Sequence, residues 1–146
     1  MEIDTPIRNY ISEHRVARLA TADASGRPSV IPICYVFDGS SIYSPIDRKP
    51  KSVSAHELRR VRNIGENRNV SLVIDDYSDD WNELAYLQIS GVAEVVEPGG
   101  NRAPDLELAV KMLREKYAQY RSMDIDLTPM IRITPTRQKA WRSKRA

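Results

Sequence analysis

Two β-rich segments joined by a turn constrain the fold of this chain more than any other feature. Residues 15–21 are largely apolar, and residues 29–37 are rich in β-branched and aromatic side chains, which favours extended strands. Between them, residues 23–28 read Asp-Ala-Ser-Gly-Arg-Pro, residue types that accept the backbone angles of a tight turn. The pattern predicts an antiparallel hairpin at the front of the chain. A purely parallel sheet is therefore disfavoured.

The rest of the chain alternates further strands with amphipathic helices. The other predicted strands cover residues 41–44, 70–75, 84–96 and 130–134, with a last short piece around residues 140–142. The predicted helices cover residues 7–14, 54–66 and 105–120, each with apolar side chains at helical spacing. About six strands and three helices predict one mainly β (α+β) domain over residues 1–146, a small antiparallel β-barrel with flanking helices.

Four local features refine this prediction. Thr5 is expected to cap the first helix, with Pro6 at its first position. Gly91 lies inside the longest predicted strand, which indicates a bulge or a close backbone approach. Pro32 lies in the second strand and has no N–H, so it is expected at a sheet edge, a bulge or a barrel corner. Cys34 is expected within the same strand, where a thiol acts as a small hydrophobic side chain.

Length and composition are those of an ordinary globular domain. A chain of 146 residues can bury a core, and 41% hydrophobic residues argue against disorder. No apolar run approaches the roughly 18 residues of a membrane span, and residues 1–6 lack the features of a secretory signal. A single cysteine excludes an internal disulfide and fits a reducing compartment. We therefore expect a cytoplasmic protein without a membrane partner.

The charge distribution indicates anion binding more than nucleic-acid binding. A net charge of +2 is too small to indicate nucleic acid by itself. Three basic groups stand out, and each could bind a phosphate or form solvated surface. They are Arg48, Lys49 and Lys51; Arg59, Arg60 and Arg62; and Arg137, Lys139, Arg142, Lys144 and Arg145. The last group contains one aromatic residue, Trp141, which is little for a nucleic-acid module.

Conventional catalytic and metal-binding motifs are missing from the sequence. It contains no dinucleotide fingerprint, P-loop or nucleophile elbow. His14 and His56 are far apart, so neither belongs to a ligand-spaced pair, and we expect no metal site. The acidic residues 75–80 lack the order of a calcium loop and are expected to form a solvated loop with an N-capping aspartate. An enzyme built this way would need a cofactor for its chemistry.

Several short motifs follow one another in a fixed order along the chain. They are VARLAT at 16–21, DASGRP at 23–28, VIPI at 30–33, IYS at 42–44, RKPK at 48–51, LRRVRNI at 58–64 and NVSLV at 69–73. Their order resembles that of the pyridoxamine 5'-phosphate oxidase-like superfamily of FMN-binding split-barrel proteins. A second set is similar to its deazaflavin (F420)-dependent oxidoreductase branch: DDY at 75–77, Asp80, Trp81, Leu84, GVA at 91–93, KYAQY at 116–120 and Trp141. The resemblance covers residues 5–143.

This resemblance implies the place of a cofactor. Family members are six-stranded split barrels that form homodimers with two cofactor sites at the subunit interface. The ring of the cofactor would lie near Pro32, Ile33 and Cys34, with Ser44 close by. Phosphate contacts would follow the third strand and lie in the next helix, which implies Lys49, Lys51 and Arg60, with Arg48 and Arg62 as alternatives. Trp81 would cover the ring from the partner subunit or pack in the dimer interface.

The resemblance also implies a reaction. It predicts an oxidoreductase that transfers a hydride between a flavin-type cofactor, preferably coenzyme F420, and a small organic substrate such as a quinone, tetrapyrrole or enone. The second basic group favours the long anionic tail of F420 over FMN. An FMN-dependent enzyme of the same fold and a non-catalytic flavin- or haem-binding protein are the alternatives. No catalytic side chain is assigned; Tyr35, Tyr43 and Tyr77 are candidates for a proton donor only.

Overall fold

The computed structural model describes residues 1–46 and 57–143, which contain three α-helices and seven β-strands. The helices are α1 (Thr5–Glu13), α2 (Arg59–Glu66) and α3 (Ala103–Lys116). The strands are β1 (Ala17–Ala22), β2 (Pro28–Ile33), β3 (Val36–Phe37), β4 (Ile42–Pro45), β5 (Asn69–Asp76), β6 (Ala85–Val96) and β7 (Met130–Arg142). No helix within the described ranges combines the length and the apolar character that crossing a membrane requires.

All seven strands belong to one antiparallel sheet with the order β2-β1-β5-β6-β7-β4-β3. The two edge strands, β2 and β3, are separated along the chain by Cys34 and Tyr35 alone. In a flat sheet of seven strands, β2 and β3 would lie about 29 Å apart. The three residue-to-residue steps of backbone from Ile33 to Val36 span at most about 11 Å. The sheet must therefore curl until its edges meet. The result is an antiparallel split β-barrel, which confirms the predicted fold class.

The strand count differs from the prediction because the second predicted strand is interrupted. Residues 29–37 divide into β2 and β3, and the prediction that Cys34 lies within a strand is wrong. The interruption is the barrel corner, where the chain leaves one sheet edge and joins the other. The two predicted closing pieces form one continuous strand of 13 residues, β7.

The glycine in β6 marks a bulge, as predicted. Ser90 pairs with Arg137 and Gly91 pairs with Pro135, so Thr136 is an extra residue on β7. A Cβ atom on Gly91 would lie 2.6 Å from the carbonyl oxygen of Thr134. Because real Cβ atoms essentially never approach a backbone atom this closely, the two strands can pair here only with a glycine.

Helix boundaries follow local capping chemistry. The carboxylate of Asp4 accepts a hydrogen bond from the amide of Ile7 at 3.1 Å, so Asp4 caps α1 and the prediction of Thr5 is one residue too late. Pro6 lies in the first turn, where its missing N–H costs nothing. The helix α3 ends at Lys116, four residues earlier than predicted, because the chain continues as a 3-10 helix over Ala118–Ser122.

The core lies inside the curl of the sheet. Ile11, Leu19, Ile42, Ile74 and Leu87 are at most 1% exposed there, and burial of such side chains is the main stabilising contribution to the fold. The helices α1 and α2 close this interior with side chains such as Ile11, Val61 and Ile64. On the outside, α3 covers β3 and β4 through a second apolar cluster that includes Val36, Tyr43, Leu113 and Met130.

Candidate functional site

The two sheet edges meet at a junction that we call the split: Cys34 and Tyr35, with the strand ends Ile33 and Val36 that they join. On one side of the split, β2 pairs with β1 and with no other described strand. Pro32 lies on this edge strand and is exposed, which confirms the predicted edge position. An edge strand presents backbone N–H and C=O groups that no ladder satisfies. The split is therefore bordered by backbone groups that can bind a ligand.

Four of the predicted cofactor-binding residues lie together at or beside the split. Ser44 on β4 is buried, and its hydroxyl donates a hydrogen bond of 2.8 Å to the carbonyl of Cys34. Ile33 is buried under the same corner, and Cys34 is half-buried beside it. The structure thus brings Pro32, Ile33, Cys34 and Ser44 into one group, with the hydroxyl of Ser44 directed at the backbone of the link.

Two further residues hold this group from the end of α3. They belong to the KYAQY motif at 116–120, but the sequence analysis did not assign them to the site. The amide of Tyr35 donates to the hydroxyl of Tyr117 at 3.1 Å, and the ammonium of Lys116 donates to the carbonyl of Tyr35 at 3.1 Å. The Tyr117 hydroxyl donates its one proton to the carbonyl of Arg15 at 2.8 Å, with the Tyr35 carbonyl as an alternative acceptor at 3.1 Å. These side chains replace the ladder bonds that end at the corner.

The surroundings of Lys116 are aromatic and partly desolvated. Its Nζ lies 4.0 Å from the ring centroid of Tyr35 and 5.3 Å from that of Tyr117. Burial, together with the Arg15 guanidinium, lowers the pKa of Lys116 from 10.5 to about 8, while nearby Cys34 acts in the opposite direction. Burial raises the pKa of Tyr117 to about 12. Lys116 is therefore a partly desolvated cation beside the split.

The other predicted residues lie on separate elements or outside the described ranges. Arg60 is half-buried in the first turn of α2, which has no acidic residue there and no side-chain cap from Leu58. A helix N-terminus carrying arginines is a favourable place for an anion. Trp81 lies in a 3-10 turn after β5 and is 71% exposed. Lys49 and Lys51 lie outside the described residues, so their roles remain predictions, as does the grouping of Arg60 and Trp81 with the split.

One side of the sheet outside the barrel carries no described helix. We call it the open face: the outward side chains of β2, β1 and β5 and of the adjoining halves of β6 and β7. Val30 on this face is 64% exposed and Trp141 is 45% exposed. The rings of Tyr86 and Trp141 stack with centroids 5.9 Å apart, and Arg18 forms an ion pair of 2.6 Å with Asp75. The open face is thus a mixed apolar and charged surface that continues to the edge strand β2.

A small groove borders the open face at its far side. It lies between α1 and the paired ends of β6 and β7, with a volume of about 260 Å³. Tyr10, Tyr86, Leu87 and Trp141 are among its lining residues, so it is mainly apolar and aromatic. Burial and the neighbouring Asp76 carboxylate raise the pKa of Tyr10, which keeps its hydroxyl protonated. The groove extends the aromatic surface from the open face toward α1.

The hydroxyl groups of the candidate proton donors Tyr35, Tyr43 and Tyr77 are engaged in other contacts or lie on a different part of the molecule. Tyr35 and Tyr43 are buried; the hydroxyl of Tyr35 donates to the carbonyl of Ile11 at 2.6 Å, and that of Tyr43 accepts from Arg132 at 3.2 Å. Burial raises the pKa of both phenols. Tyr77 is 72% exposed and lies on the loop after β5. None of the three described hydroxyls points to an acid–base arrangement at the split.

The acidic loop and the first histidine have structural roles. Asp80 accepts a hydrogen bond from the amide of Asn82, which confirms the predicted N-capping aspartate. His14 follows α1, and its Nε2 lies within hydrogen-bond distance, 2.8 Å, of the Asp76 carboxylate. In the part of the chain that the structure describes, no three His, Cys, Asp or Glu side chains are grouped so as to hold a metal ion.

Comparison with known proteins gives the family. The family model described as pyridoxamine 5'-phosphate oxidase matches residues 3–142. This chain belongs to the pyridoxamine 5'-phosphate oxidase-like family, which confirms the resemblance seen in the sequence. No curated protein sequence matches the chain.

Solved structures share its fold at low sequence identity. The conserved hypothetical protein Rv2991 from Mycobacterium tuberculosis is similar with a TM-score of 0.74 and 21% identity, over 97% of this chain and 86% of that chain. HutZ, the haem storage protein from Vibrio cholerae, has a TM-score of 0.69 and 19% identity, over 97% and 95%. An F420 reductase has a TM-score of 0.63 and 19% identity, over 94% and 98%. At these identities the likeness shows the fold alone.

Proposed function

We propose that this chain is an oxidoreductase that binds a flavin-type cofactor at the split, preferably coenzyme F420, and exchanges a hydride with a small organic substrate. The observation that carries the proposal is the split itself, an exposed strand edge beside half-buried Cys34. A flat heterocycle with hydrogen-bonding groups along its rim matches such an edge. When bound, the ring supplies the hydride chemistry, and the protein supplies position and exclusion of water.

The residues at the split take different parts in this proposal. Pro32, Ile33 and Cys34 would contact the ring, because they form the exposed edge and the corner. Ser44 would act through its hydrogen bond to the Cys34 carbonyl and so fix the corner. Arg60 and the N-terminus of α2 would bind the phosphate of the cofactor tail, together with Lys49 and Lys51. Charge-assisted contacts of this kind are the strong ones in phosphate binding.

Three arginines in the first half of α2 favour a long anionic tail, which supports F420 over FMN. The F420 reductase of similar fold supports the same choice. FMN in the same place is the alternative within the same enzyme class. HutZ, described as a haem storage protein, supports a second candidate function, non-catalytic binding of a flavin or haem.

We also propose that two copies of the chain associate through the open face, which places two cofactor sites at the subunit interface. The open face exposes large apolar side chains, Val30 and Trp141, that a partner would bury. Trp81, 71% exposed near the end of β5, would cover the ring of the partner's site or pack in the interface. Such a homodimer would also protect the exposed edge strand β2.

The test is a set of separate titrations of the purified protein with F420, FMN and haem, followed by visible absorbance and by native mass. Saturable micromolar binding of F420, with oxidation of the bound, reduced ring by a quinone or enone, is the expected result. Binding of FMN in place of F420 would replace the cofactor and keep the enzyme class. Binding of haem alone would support the storage protein, and binding of none of the three would overturn the proposal.

A further inference from the structure

The link between the two sheet edges is held by the C-terminal end of α3. We call Lys116 and Tyr117 the α3 clamp. Lys116 donates to the carbonyl of Tyr35, and Tyr117 accepts from the amide of Tyr35, each at 3.1 Å. Both backbone groups of one link residue are therefore satisfied by two neighbouring side chains. The hydroxyl of Ser44 fixes the preceding carbonyl, that of Cys34, from the side of β4 at 2.8 Å.

The α3 clamp is itself anchored. Tyr117 donates to the carbonyl of Arg15 at 2.8 Å, which connects it to the chain two residues before β1. The guanidinium of Arg15 donates in return to the carbonyl of Lys116 at 2.6 Å and lies 5.4 Å from the Tyr117 ring centroid. Lys116 is held over the ring of Tyr35, whose own hydroxyl is bonded to Ile11. The clamp therefore connects α3, the start of β1 and the corner of the barrel.

We propose that Lys116 and Tyr117 are positioning residues for the cofactor: they fix the backbone of Cys34 and Tyr35 and so set where the ring lies against Ile33 and Cys34. This inference rests on the proposed function and deepens it. The corner has no ladder partner of its own, so its position depends on the side chains that bond to it. A displacement of the corner would change the contacts of the ring. Ile33 and Tyr35 also belong to the core, so the stability of each variant is measured beside its affinity.

The charge of Lys116 contributes to this positioning. A charged donor makes a stronger bond to the Tyr35 carbonyl than a neutral one, and the ammonium is also attracted to the faces of Tyr35 and Tyr117. A guanidinium at the same position keeps the charge, the donor groups and the contact with aromatic faces. Methionine keeps most of the length of the side chain and can still contact the aromatic rings, but it removes the charge and the donor groups. Arginine should therefore restore what methionine removes.

The experiment compares Lys116→Met, Lys116→Arg and Tyr117→Phe with the wild type. Lys111→Met is the matched control, because Lys111 lies on the same helix, is exposed and is no part of the clamp. Affinity for F420 and for FMN, and the absorbance maximum of the bound cofactor, are measured well below the melting temperature. We expect Lys116→Met and Tyr117→Phe to weaken binding about five- to tenfold, the loss of one strong hydrogen bond, and to shift the maximum. Lys116→Arg should recover most of the affinity.

Amide hydrogen exchange gives a second measurement that needs no cofactor. The amide of Tyr35 should exchange faster in Tyr117→Phe, and the segment 33–36 should exchange faster in Lys116→Met, with exchange in β5 unchanged. Wild-type protein that binds neither cofactor would overturn the proposed function and this inference together. If the wild type binds a cofactor and the clamp variants have the same affinity and spectrum as Lys111→Met, the inference about the α3 clamp is wrong and the proposed function is unaffected. A lower melting temperature with unchanged affinity and spectrum would show that the clamp is only structural.

Discussion

Two contacts of single residues are important for the fold: one lets β6 and β7 pair at the bulge, and the other connects α3 to the barrel corner. At Gly91 the missing Cβ leaves room for the carbonyl of Thr134. At Lys116 the ammonium reaches the Tyr35 carbonyl only by leaving bulk water for two aromatic faces. Gly91 has no side chain where a Cβ would overlap the backbone, and Lys116 is a charged residue that is only partly solvated. Each can therefore be tested with a single substitution whose effect has one dominant cause.

Replacing Gly91 with alanine should destabilise the protein by about 2–4 kcal/mol, because the new methyl group overlaps a backbone oxygen that two paired strands hold in place. Gly65 provides the control, since a Cβ there meets nothing within 4 Å and the residue lies in α2. Gly65→Ala should be neutral or stabilising by up to about 1 kcal/mol. Urea denaturation measures both variants. Equal stabilities of the two variants would contradict the close approach of β6 and β7.

Replacing Lys116 with methionine should change the pH dependence of stability. The folded protein releases the Lys116 proton at about pH 8, whereas the unfolded chain keeps it up to its ordinary pKa of 10.5. Between these values the unfolded state binds more protons, so the unfolding free energy of the wild type rises with pH. The side chain is partly solvated, so the rise should be about 1 kcal/mol.

The measurement is urea denaturation of wild type and Lys116→Met at about pH 7.5 and about pH 9.5. Tyrosines of the unfolded chain, with a pKa of about 10, begin to ionise in the same way in both proteins, so the difference between them reports Lys116. The wild type should gain stability relative to the variant across this interval. Parallel pH profiles of the two proteins would show that Lys116 is solvated like an ordinary surface lysine.

Among the elements, α2 has an unusual N-terminus. Acidic residues commonly occupy the first turn of a helix because they complement its partial positive charge. Here the first turn has no acidic residue, and Arg59, Arg60 and Arg62 add positive charge instead. Concentrated positive charge at this end is unfavourable for the free helix and favourable for binding an anion. This distribution of charge supports the proposed phosphate site at α2.

The substitution Arg60→Gln should weaken binding of F420 or FMN about tenfold and reduce its dependence on salt, because one charge-assisted contact to phosphate is lost. Lys111→Gln, on the exposed side of α3, is the control and should bind like the wild type. Titrations at low and high ionic strength measure both effects, and circular dichroism checks the fold. Unchanged affinity in Arg60→Gln would remove Arg60 from the phosphate site.

The elements also show how far local sequence patterns predict structure. The hairpin β1–β2, the bulge at Gly91 and the apolar face of α3 follow from residue types a few positions apart, and all were predicted. The break at Cys34 was not, because residues 29–37 keep strand-forming side chains through the corner. One of the hydrogen bonds that hold the corner comes from Lys116, which lies 81 residues away from Tyr35 in the sequence. No short-range pattern contains that contact.

On the scale of the whole molecule, the open face is the surface that most needs a partner. It adjoins an exposed edge strand, and it displays aliphatic and aromatic side chains that a monomer gains nothing by exposing. The family resemblance predicts a dimer, and the proposed interface on the open face stays a prediction. The predicted ring-binding residues Pro32, Ile33 and Cys34 border this surface, whereas Lys49 and Lys51 lie outside the described residues. Resemblance identified these residues; their grouping with Ser44 required the curled sheet.

The substitution Val30→Glu should shift the protein toward a monomer, because a carboxylate would be buried at the proposed interface. Leu108→Glu is the matched control: Leu108 is 47% exposed on α3, away from the open face, and its change should leave the mass unaltered. Light scattering after gel filtration measures the mass of each variant. A wild-type mass retained by Val30→Glu would place any dimer contact elsewhere.

The position of β7 in the sheet has a consequence for the order in which the protein folds. Among the described strands, β7 alone pairs the β4–β3 unit with the rest of the sheet, because it lies between β6 and β4. Four residue pairs join β4 to β7, from Ile42–Ile133 to Pro45–Met130. β1, β2 and β5 can pair once the early part of the chain is synthesised. The β4–β3 pair cannot join the sheet until β7 is synthesised. Contacts so distant in sequence form slowly. The split, which depends on both edges, should therefore be the last part of the barrel to take shape.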